Sequence, residues 1–311
     1  MARSRRVGRD VHGILLFDKP VGMGSNEALQ SVKRLFQARK AGHTGSLDRL
    51  ASGLLPICFG EATKISGFLL GADKRYRAVF RFGQKTTTGD AEGQIIDRRP
   101  VPSFGEHELS KVIQDFQGPI EQVPPMYSAI KLRGQRLYKL AHQGLDVERK
   151  PRTVTIHYLQ VLRRELEKLE VEVCCSKGTY IRTLAEDIGE ALGCGAHVES
   201  LRRIGSGPFD DNSLVTLPQL QVLALADLAA LDSLLQPMEA AISDWPDVRL
   251  SEDVAYYVRR GQAVLVPHAP TRGWVKIYGD RQSFLGLGEV LDDGRIAPRR
   301  LVNAALQANK T

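Results

Sequence analysis

Cysteine is scarce in this chain: Cys58, Cys174, Cys175 and Cys194 are the only four. No two stand in a Cys-x-x-Cys spacing, which excludes a zinc ribbon or a dithiol redox motif. Cys174 and Cys175 lie in the apolar run 171–175, where reduced thiols are expected to pack in a strand. Long apolar runs are missing too. No uninterrupted span reaches the about 18 residues that a bilayer-crossing helix needs. The most apolar region, 214–242, is broken by Pro218, Asp227, Asp232 and Pro237. The arginine-rich start has no adequate apolar run and small-residue cleavage site behind it, so no secretory leader is read. Internal repeats and low-complexity tracts are absent. These absences point to a soluble, cytoplasmic protein.

What is present is positive charge. Lys and Arg number 43 against 36 Asp and Glu, a formal net charge of +7. A surplus suggests a polyanionic partner without identifying it. Arg3, Arg5, Arg6 and Arg9 form a basic N-terminal arm. Lys131, Arg133, Arg136, Lys139, Arg149, Lys150 and Arg152 crowd the stretch 124–152, opposed only by Asp146 and Glu148. Such a run is either a nucleic-acid contact or a merely solvated face, and charge alone leaves both open.

The length allows about one to three domains. Residues 12–17 read as a short buried strand, and Ser25 or Asn26 can cap the helix whose apolar face is Ala28, Leu29, Val32, Leu35 and Phe36. The segment 41–60 differs in kind: four glycines enclose His43, Thr44, Ser46 and Asp48, a functional loop running into the strand 54–59. Residues 74–82 alternate as a half-exposed strand with a basic face. A glycine turn at 89–93 precedes a short strand at 94–96, and Leu109, Val112, Ile113 and Phe116 are helix-spaced. Residues 122–152 have few core-like stretches and read as an excursion from the core. Residues 154–165 and 166–175 read as paired strands, followed by an amphipathic helix from Ile181 to a stop at Gly193. Residues 217–241 are helical in pattern. After Trp245 and Pro246, short apolar runs at 264–266, 274–278, 284–290 and 295–298, divided by glycine and proline turns, suggest a small separate β-rich domain.

An isolated loop aspartate is ordinarily a cap or a surface ion pair. Asp48 stands in more specific company. Gly42-His43-Thr44-Gly45-Ser46-Leu47-Asp48, then Leu50-Ala51-Ser52-Gly53-Leu54-Leu55-Pro56, resembles the signature of the bacterial tRNA pseudouridine synthase B family. Lys19-Pro20 before Gly22 resembles the family's N-terminal motif, and Lys74-Arg75-Tyr76 its tyrosine motif. Gly178-Thr179-Tyr180-Ile181-Arg182-Thr183-Leu184 resembles its arginine motif, and Leu201-Arg202-Arg203 the next one. These five motifs appear in family order over almost the whole chain. One position departs: Arg49 stands where the family usually has proline, which leaves the loop less rigid on one side and adds a cation near the carboxylate.

The resemblance implies an α+β fold. Its catalytic domain (1–245) would hold a mixed, largely antiparallel central sheet flanked by helices, with a basic RNA-clamping excursion at about 122–152. A small β-rich, PUA-like RNA-binding domain (246–311) would follow. It implies isomerisation of the uridine at position 55 in the T loop of tRNA. The glycosidic bond to N1 breaks, the base turns, and C5 is reattached. No atom is gained or lost, so no cofactor or metal is expected. Asp48 would act as nucleophile at C1′ or as base at the ribose 2′ position, two alternatives the sequence leaves open. Arg182 would orient it through a paired hydrogen bond. Tyr76 would stack on the flipped uracil and Tyr180 bound the other side of the pocket or hydrogen-bond near the glycosidic oxygen. Leu201 would form an apolar wall, His43 would face the RNA, and Lys19 and Pro20 would support the loop. Lys131, Arg133, Arg136 and Lys139 would clamp the stem-loop backbone. Opening the tRNA elbow to flip a base would also let a misfolded tRNA rearrange. Each residue has a blander reading: core packing for the tyrosines and Leu201, a helix surface for Arg182, a loop hydrogen bond for His43. The rival functions are a non-catalytic RNA-binding or RNA-folding protein on the same scaffold, and a synthase acting on another RNA or depending on a guide. The short domain layout favours a stand-alone enzyme with no obligate protein partner, and nothing in the sequence demands a dimer.

Overall fold

Apolar runs that leave water must pair their backbone groups with one another, and here most of them join one ten-stranded sheet. The computed structural model describes residues 8–132, 134–141, 143–280 and 283–303. Strand β1 (Gly13–Lys19) is followed by helix α1 (Ser25–Leu35), a short β2 (Ala41–His43) and β3 (Ser52–Phe59). A 3-10 turn (Gly60–Lys64) and α2 (Ser66–Gly71) lead to β4 (Lys74–Phe82). Strands β5 (Gln84–Thr86) and β6 (Ile95–Arg98) make a small hairpin, and α3 (Glu106–Asp115) precedes β7 (Gly118–Gln122). Among the described residues, the basic excursion holds only β8 (Lys131–Leu132), β9 (Gln135–Arg136) and α4 (Leu137–Ala141). Then come β10 (Arg152–Arg164), β11 (Lys168–Cys175), α5 (Ile181–Ala191), β12 (Ala196–Ser206), β13 (Phe209–Asp210) and β14 (Val215–Thr216). Helices α6 (Leu217–Ala226) and α7 (Leu228–Asp232) and a second 3-10 turn (Met238–Ile242) complete this part. Strand β15 (Asp247–Arg249), α8 (Glu252–Arg259), β16 (Gly273–Tyr278), β17 (Phe284–Val290) and β18 (Ile296–Leu301) follow, the four strands forming their own sheet.

The large sheet runs β14-β1-β3-β12-β4-β11-β10-β7, with β2 added on β3 and β13 on β12. It is mixed and largely antiparallel: β1 with β14 and β3 with β12 are its parallel pairs. One face carries Ala78, Phe80, Phe82, Val171 and Val173 into the main core, against Ala28 and Val32 of α1 and Leu184 and Ile188 of α5. Each such large apolar side chain stabilises the fold by about 1.5–3 kcal/mol through burial. Side chains of the opposite parity on β4, such as Arg77, stay at the surface.

A second cluster joins Ile14, Leu54, Ile65 and Leu69 of the large unit to Leu287 of the small sheet. Phe68 meets Trp245 edge-on at 4.7 Å and Trp274 at 5.1 Å between ring centroids. Lys64 Nζ donates to the Leu301 carbonyl at 2.7 Å, and Asn303 N–H to the Glu61 carboxylate at 2.9 Å. The two sheets are therefore packed together, not merely strung on one chain.

Several local expectations change. The helix cap is Gly24, whose N–H donates to Glu27 at 3.3 Å, and Ser25 is already helical. The region 217–241 is three short pieces, because Asp227 caps α7 by accepting from Ala229 N–H at 2.9 Å and Pro237 starts the 3-10 turn. Val264 makes only an isolated bridge to Ile296, so 264–266 is no strand. Strand β15 and helix α8 were not read from the sequence; three residues of strand carry too little periodicity to be seen.

Candidate active site

The loop 44–51 joins β2 to β3 and is held mainly through its backbone. Thr44 N–H donates to the Pro56 carbonyl at 3.1 Å, and Ala51 N–H to the Asp48 carbonyl at 3.2 Å. The hydroxyl of Ser25, the buried first residue of α1, accepts from Leu47 N–H at 2.7 Å and donates to the Leu47 carbonyl at 2.9 Å. Both main-chain groups of the residue before Asp48 are thereby fixed. Arg203, fully buried on β12, donates from Nε to the Leu54 carbonyl at 2.6 Å and from Nη2 to the Gly45 carbonyl at 3.1 Å. Where the loop re-enters the sheet, Gly53 pairs with Arg203 at φ +96°. A Cβ there would lie 2.4 Å from the Arg203 carbonyl, so only glycine fits.

Arg49 does not crowd the carboxylate. Its guanidinium lies outward, 3.8 Å from Glu27 across an exposed pair, and its carbonyl accepts from Gly22 N–H at 2.8 Å. That backbone bond, with the Ser25 clamp, restrains the loop where the expected proline ring is missing.

Asp48 meets Arg182 at its Nε, 2.9 Å from Oδ2. The expected two-pronged pairing is not formed, because Arg182 spends its other nitrogens elsewhere. Nη1 donates to the Thr88 carbonyl at 2.7 Å and Nη2 to the Tyr127 carbonyl at 2.8 Å. A second carboxylate, Asp90, lies 3.8 Å from the same Nε. Asp90 is buried and held by Thr88 Oγ1 at 2.6 Å and Glu92 N–H at 3.1 Å. One guanidinium thus faces two carboxylates.

Asp48 keeps 45% of its side chain accessible while Arg182 keeps 5%. The carboxylate is therefore reachable by a ligand while protein packs closely about it. That enclosure raises its pKa above the ordinary aspartate value; Arg182 opposes the rise and Asp90 adds to it.

Tyr76, Tyr180 and Lys19 lie near enough to Asp48 to feel its charge. Tyr76, half-buried on β4, is the cross-strand partner of Arg203. Burial raises its pKa, while the charge and hydrogen bond of Arg203 pull it down. Tyr180 ends the tight turn after β11 and caps α5; Gly178, at φ +84°, makes that turn possible. Burial raises the Tyr180 pKa, against the nearby charges of Arg152 and Arg182. His43 ends β2, with Nδ1 buried and unpartnered among the described residues; burial, then Arg203, lowers its pKa. Leu201 is buried in the main core on β12, opposite Ala78. Lys19 is fully buried, and its Nζ donates to the Pro20 carbonyl at 2.9 Å and the Met23 carbonyl at 2.6 Å, closing the turn before α1. Burial brings its pKa to about 8, with Asp48 opposing. Pro20 itself is exposed.

The basic excursion is only partly free for RNA. Lys131 and Arg136 face each other across the β8–β9 pair, both exposed, as is Lys139. Arg133 lies outside the described residues. Arg149 is a staple: it donates to the Val147 carbonyl at 3.1 Å and the Pro124 carbonyl at 3.4 Å, joining the two legs. Three residues escaped the sequence reading altogether: Asp90, taken as a turn residue; Ser25, taken as a cap; and Arg203, noted only as part of a motif. Their roles depend on partners far along the chain. The one local signal was an Asp in a glycine turn, Gly89-Asp90, with hydroxyls just before it.

Comparison with known proteins matches this geometry to a family. A model of the TruB family pseudouridylate synthase N-terminal domain matches residues 33–181. Models of the tRNA pseudouridylate synthase B C-terminal domain and of the pseudouridine synthase II TruB C-terminus match 182–243 and 246–302. The tRNA pseudouridine synthase B of Nitrosococcus oceani is 57% identical over 97% of this chain and 98% of its own. That of Serratia proteamaculans is 52% identical over 97% and 98%. Among solved structures, a Cbf5-Nop10-Gar1 complex superposes with a TM-score of 0.69 at 28% identity, covering 96% of this chain and 82% of the other. An archaeal box H/ACA Nop10-Cbf5 complex gives 0.71 at 25%, covering 97% and 89%. With family models matching both sides of the Asp48–Arg182 pair and relatives aligned from end to end, the chain belongs to the TruB family of pseudouridylate synthases.

Proposed function

We propose that this chain isomerises uridine to pseudouridine in tRNA, acting on position 55 of the T loop. The observation that carries this reading is the Asp48–Arg182 pair, its carboxylate reachable by a ligand, in a chain similar along its length to enzymes named tRNA pseudouridine synthase B. The half-open carboxylate is reachable by a nucleotide turned out of its stack. Arg182 holds it by one charge-assisted hydrogen bond, so it stays oriented while one side faces the ribose. Ionised Asp48 attacks C1′, or removes the 2′ proton and later returns it; either route breaks the C1′–N1 bond and lets the base turn, after which C5 bonds to C1′ with release of any bond to Asp48, the C5 proton leaves and N1 gains one. Tyr76 and Tyr180 bound the uracil, with Leu201 as apolar wall and His43, at the end of β2, facing the RNA. The substrate and product are isomers, so the balance requires no redox partner.

In this reading residues 1–245 form the catalytic domain and 246–311 a PUA-like domain that extends the tRNA contact. Lys131, Arg136 and the neighbouring Arg133 meet the stem backbone. The enzyme works as a cytoplasmic monomer without an obligate protein partner. Opening the tRNA elbow also assists tRNA folding.

The test is direct. Incubated with an unmodified tRNA transcript, the wild-type protein yields pseudouridine at position 55 by chemical mapping; absence of product there sinks the reading. Asp48→Asn is expected to lose at least about a thousandfold in rate while still binding tRNA. Residual turnover near the wild-type rate would remove Asp48 from its role.

A further inference from the structure

Gln122 is the last residue of β7, where the basic excursion leaves the sheet; Arg152, opposite it, is where the chain returns. It is 2% exposed, an unusual setting for glutamine. Its side-chain amide engages both main-chain groups of one residue. Tyr180 N–H donates to Oε1 at 2.9 Å, and Nε2 donates to the Tyr180 carbonyl at 3.2 Å. That carbonyl also accepts from Leu184 N–H at 3.0 Å, the first bond of α5. An amide used in this way fixes the peptide planes on either side of Tyr180, as a neighbouring strand would.

One further contact joins the same region to the site: Arg182 Nη2 donates to the Tyr127 carbonyl at 2.8 Å. The outgoing leg of the excursion therefore touches the helix start that carries Tyr180 and Arg182, and Arg182 in turn holds Asp48. A buried amide costs stability unless both its groups are satisfied. Packing alone would be served by an apolar side chain, so the two bonds to Tyr180 account for a glutamine here.

We propose that Gln122 is a positioning residue for the isomerisation: it ties the first turn of α5 to the root of the excursion. Arg182 and Tyr180 then hold their working geometry only while that root is seated. RNA gripped by the excursion is thereby coupled to the orientation of Asp48, which Gln122 never touches. The assignment rests on the isomerase reading above.

The experiment compares wild type, Gln122→Met and Gln122→Glu with an unmodified tRNA transcript. It measures the single-turnover rate at saturating enzyme, the tRNA Kd by filter binding, and folding by circular dichroism. Gln122→Met, near in size but without either hydrogen bond, is expected to lose about ten- to a hundredfold in rate, with Kd within about twofold of wild type. Gln122→Glu keeps the acceptor for Tyr180 N–H and loses the donor, so a smaller loss of the same kind is expected. An unchanged rate in Gln122→Met overturns the assignment, as does a rate loss matched by weaker binding. Should Gln122→Met fail to fold, Gln122→Glu decides by the same two criteria. An inactive wild type sinks the isomerase reading and this assignment with it; an active wild type beside an unimpaired Gln122→Met sinks this assignment alone.

Discussion

Arg182 carries one positive charge against two carboxylates, and only Asp48 of the two is open to solvent. Burial raises the pKa of Asp48, Arg182 opposes the rise and Asp90 adds to it. If ionised Asp48 is the reacting form, protonation abolishes turnover as pH falls through its pKa. Because that pKa lies above the ordinary aspartate value, the acid limb of the single-turnover rate should lie above the usual aspartate range. Asp90→Asn removes a raising charge, so the limb should move to lower pH; a limb that stays in place would uncouple the two carboxylates. Ser25 acts at the same scale by a different route. Ser25→Ala leaves Leu47 N–H and its carbonyl without their buried partner, at a cost of about 1–3 kcal/mol in urea unfolding. Because the freed segment adjoins Asp48, the rate should fall about tenfold or more beyond what lost stability explains. Equal rates for folded variant and wild type would make Ser25 purely structural.

Among the elements, the excursion between β7 and β10 divides its basic residues between two tasks. Arg149 is used internally, whereas Lys131 and Arg136 sit opposite each other on an exposed hairpin. Like charges placed directly across a pair repel, and a polyanion relieves that repulsion. Replacing Lys131 and Arg136 by alanine should weaken tRNA binding and flatten the slope of log K against log salt by about one unit for each phosphate that is no longer neutralised. Weaker affinity with an unchanged salt slope would argue against phosphate binding there. The β5–β6 hairpin shows the opposite design: it is pinned to α5 by Lys85 and Arg99 on Glu190, at 2.6 and 2.7 Å. That anchoring keeps Thr88 and Asp90 beside Arg182.

At the scale of the whole molecule, the small sheet is locked to the large one by Phe68, Trp245 and Trp274 and by the Lys64 and Glu61 bonds to the last strand and its exit. Docked aromatic surface of this kind couples the unfolding of the two sheets. Trp274→Ala should destabilise the protein by about 3 kcal/mol, at the low end for a truncated Trp because the ring is only partly buried. Calorimetry should then resolve separate transitions for the two sheets where the wild type shows one. Two well-separated transitions already present in the wild type would mean that the interface does not couple them.

The strands β1, β4, β10 and β11 and the helices α1 and α5 were legible in the sequence, because a period of two or of 3.6 in apolar residues is a property of neighbours along the chain. The five motifs likewise determined the family and singled out Asp48, Tyr76, Tyr180 and Arg182. Beyond their reach were groups whose partners lie far along the chain. Ser25 looked like a helix cap because capping is local, yet its bonds are to Leu47, 22 residues away. Arg182 reaches Thr88 and Tyr127 across 94 and 55 residues. Gln122 reaches Tyr180 across 58. The sequence by itself singled out the candidate side chains for the chemistry. Only the folded sheet decided which of them share a guanidinium, because distance in space between strand ends is set by strand order and not by spacing along the chain.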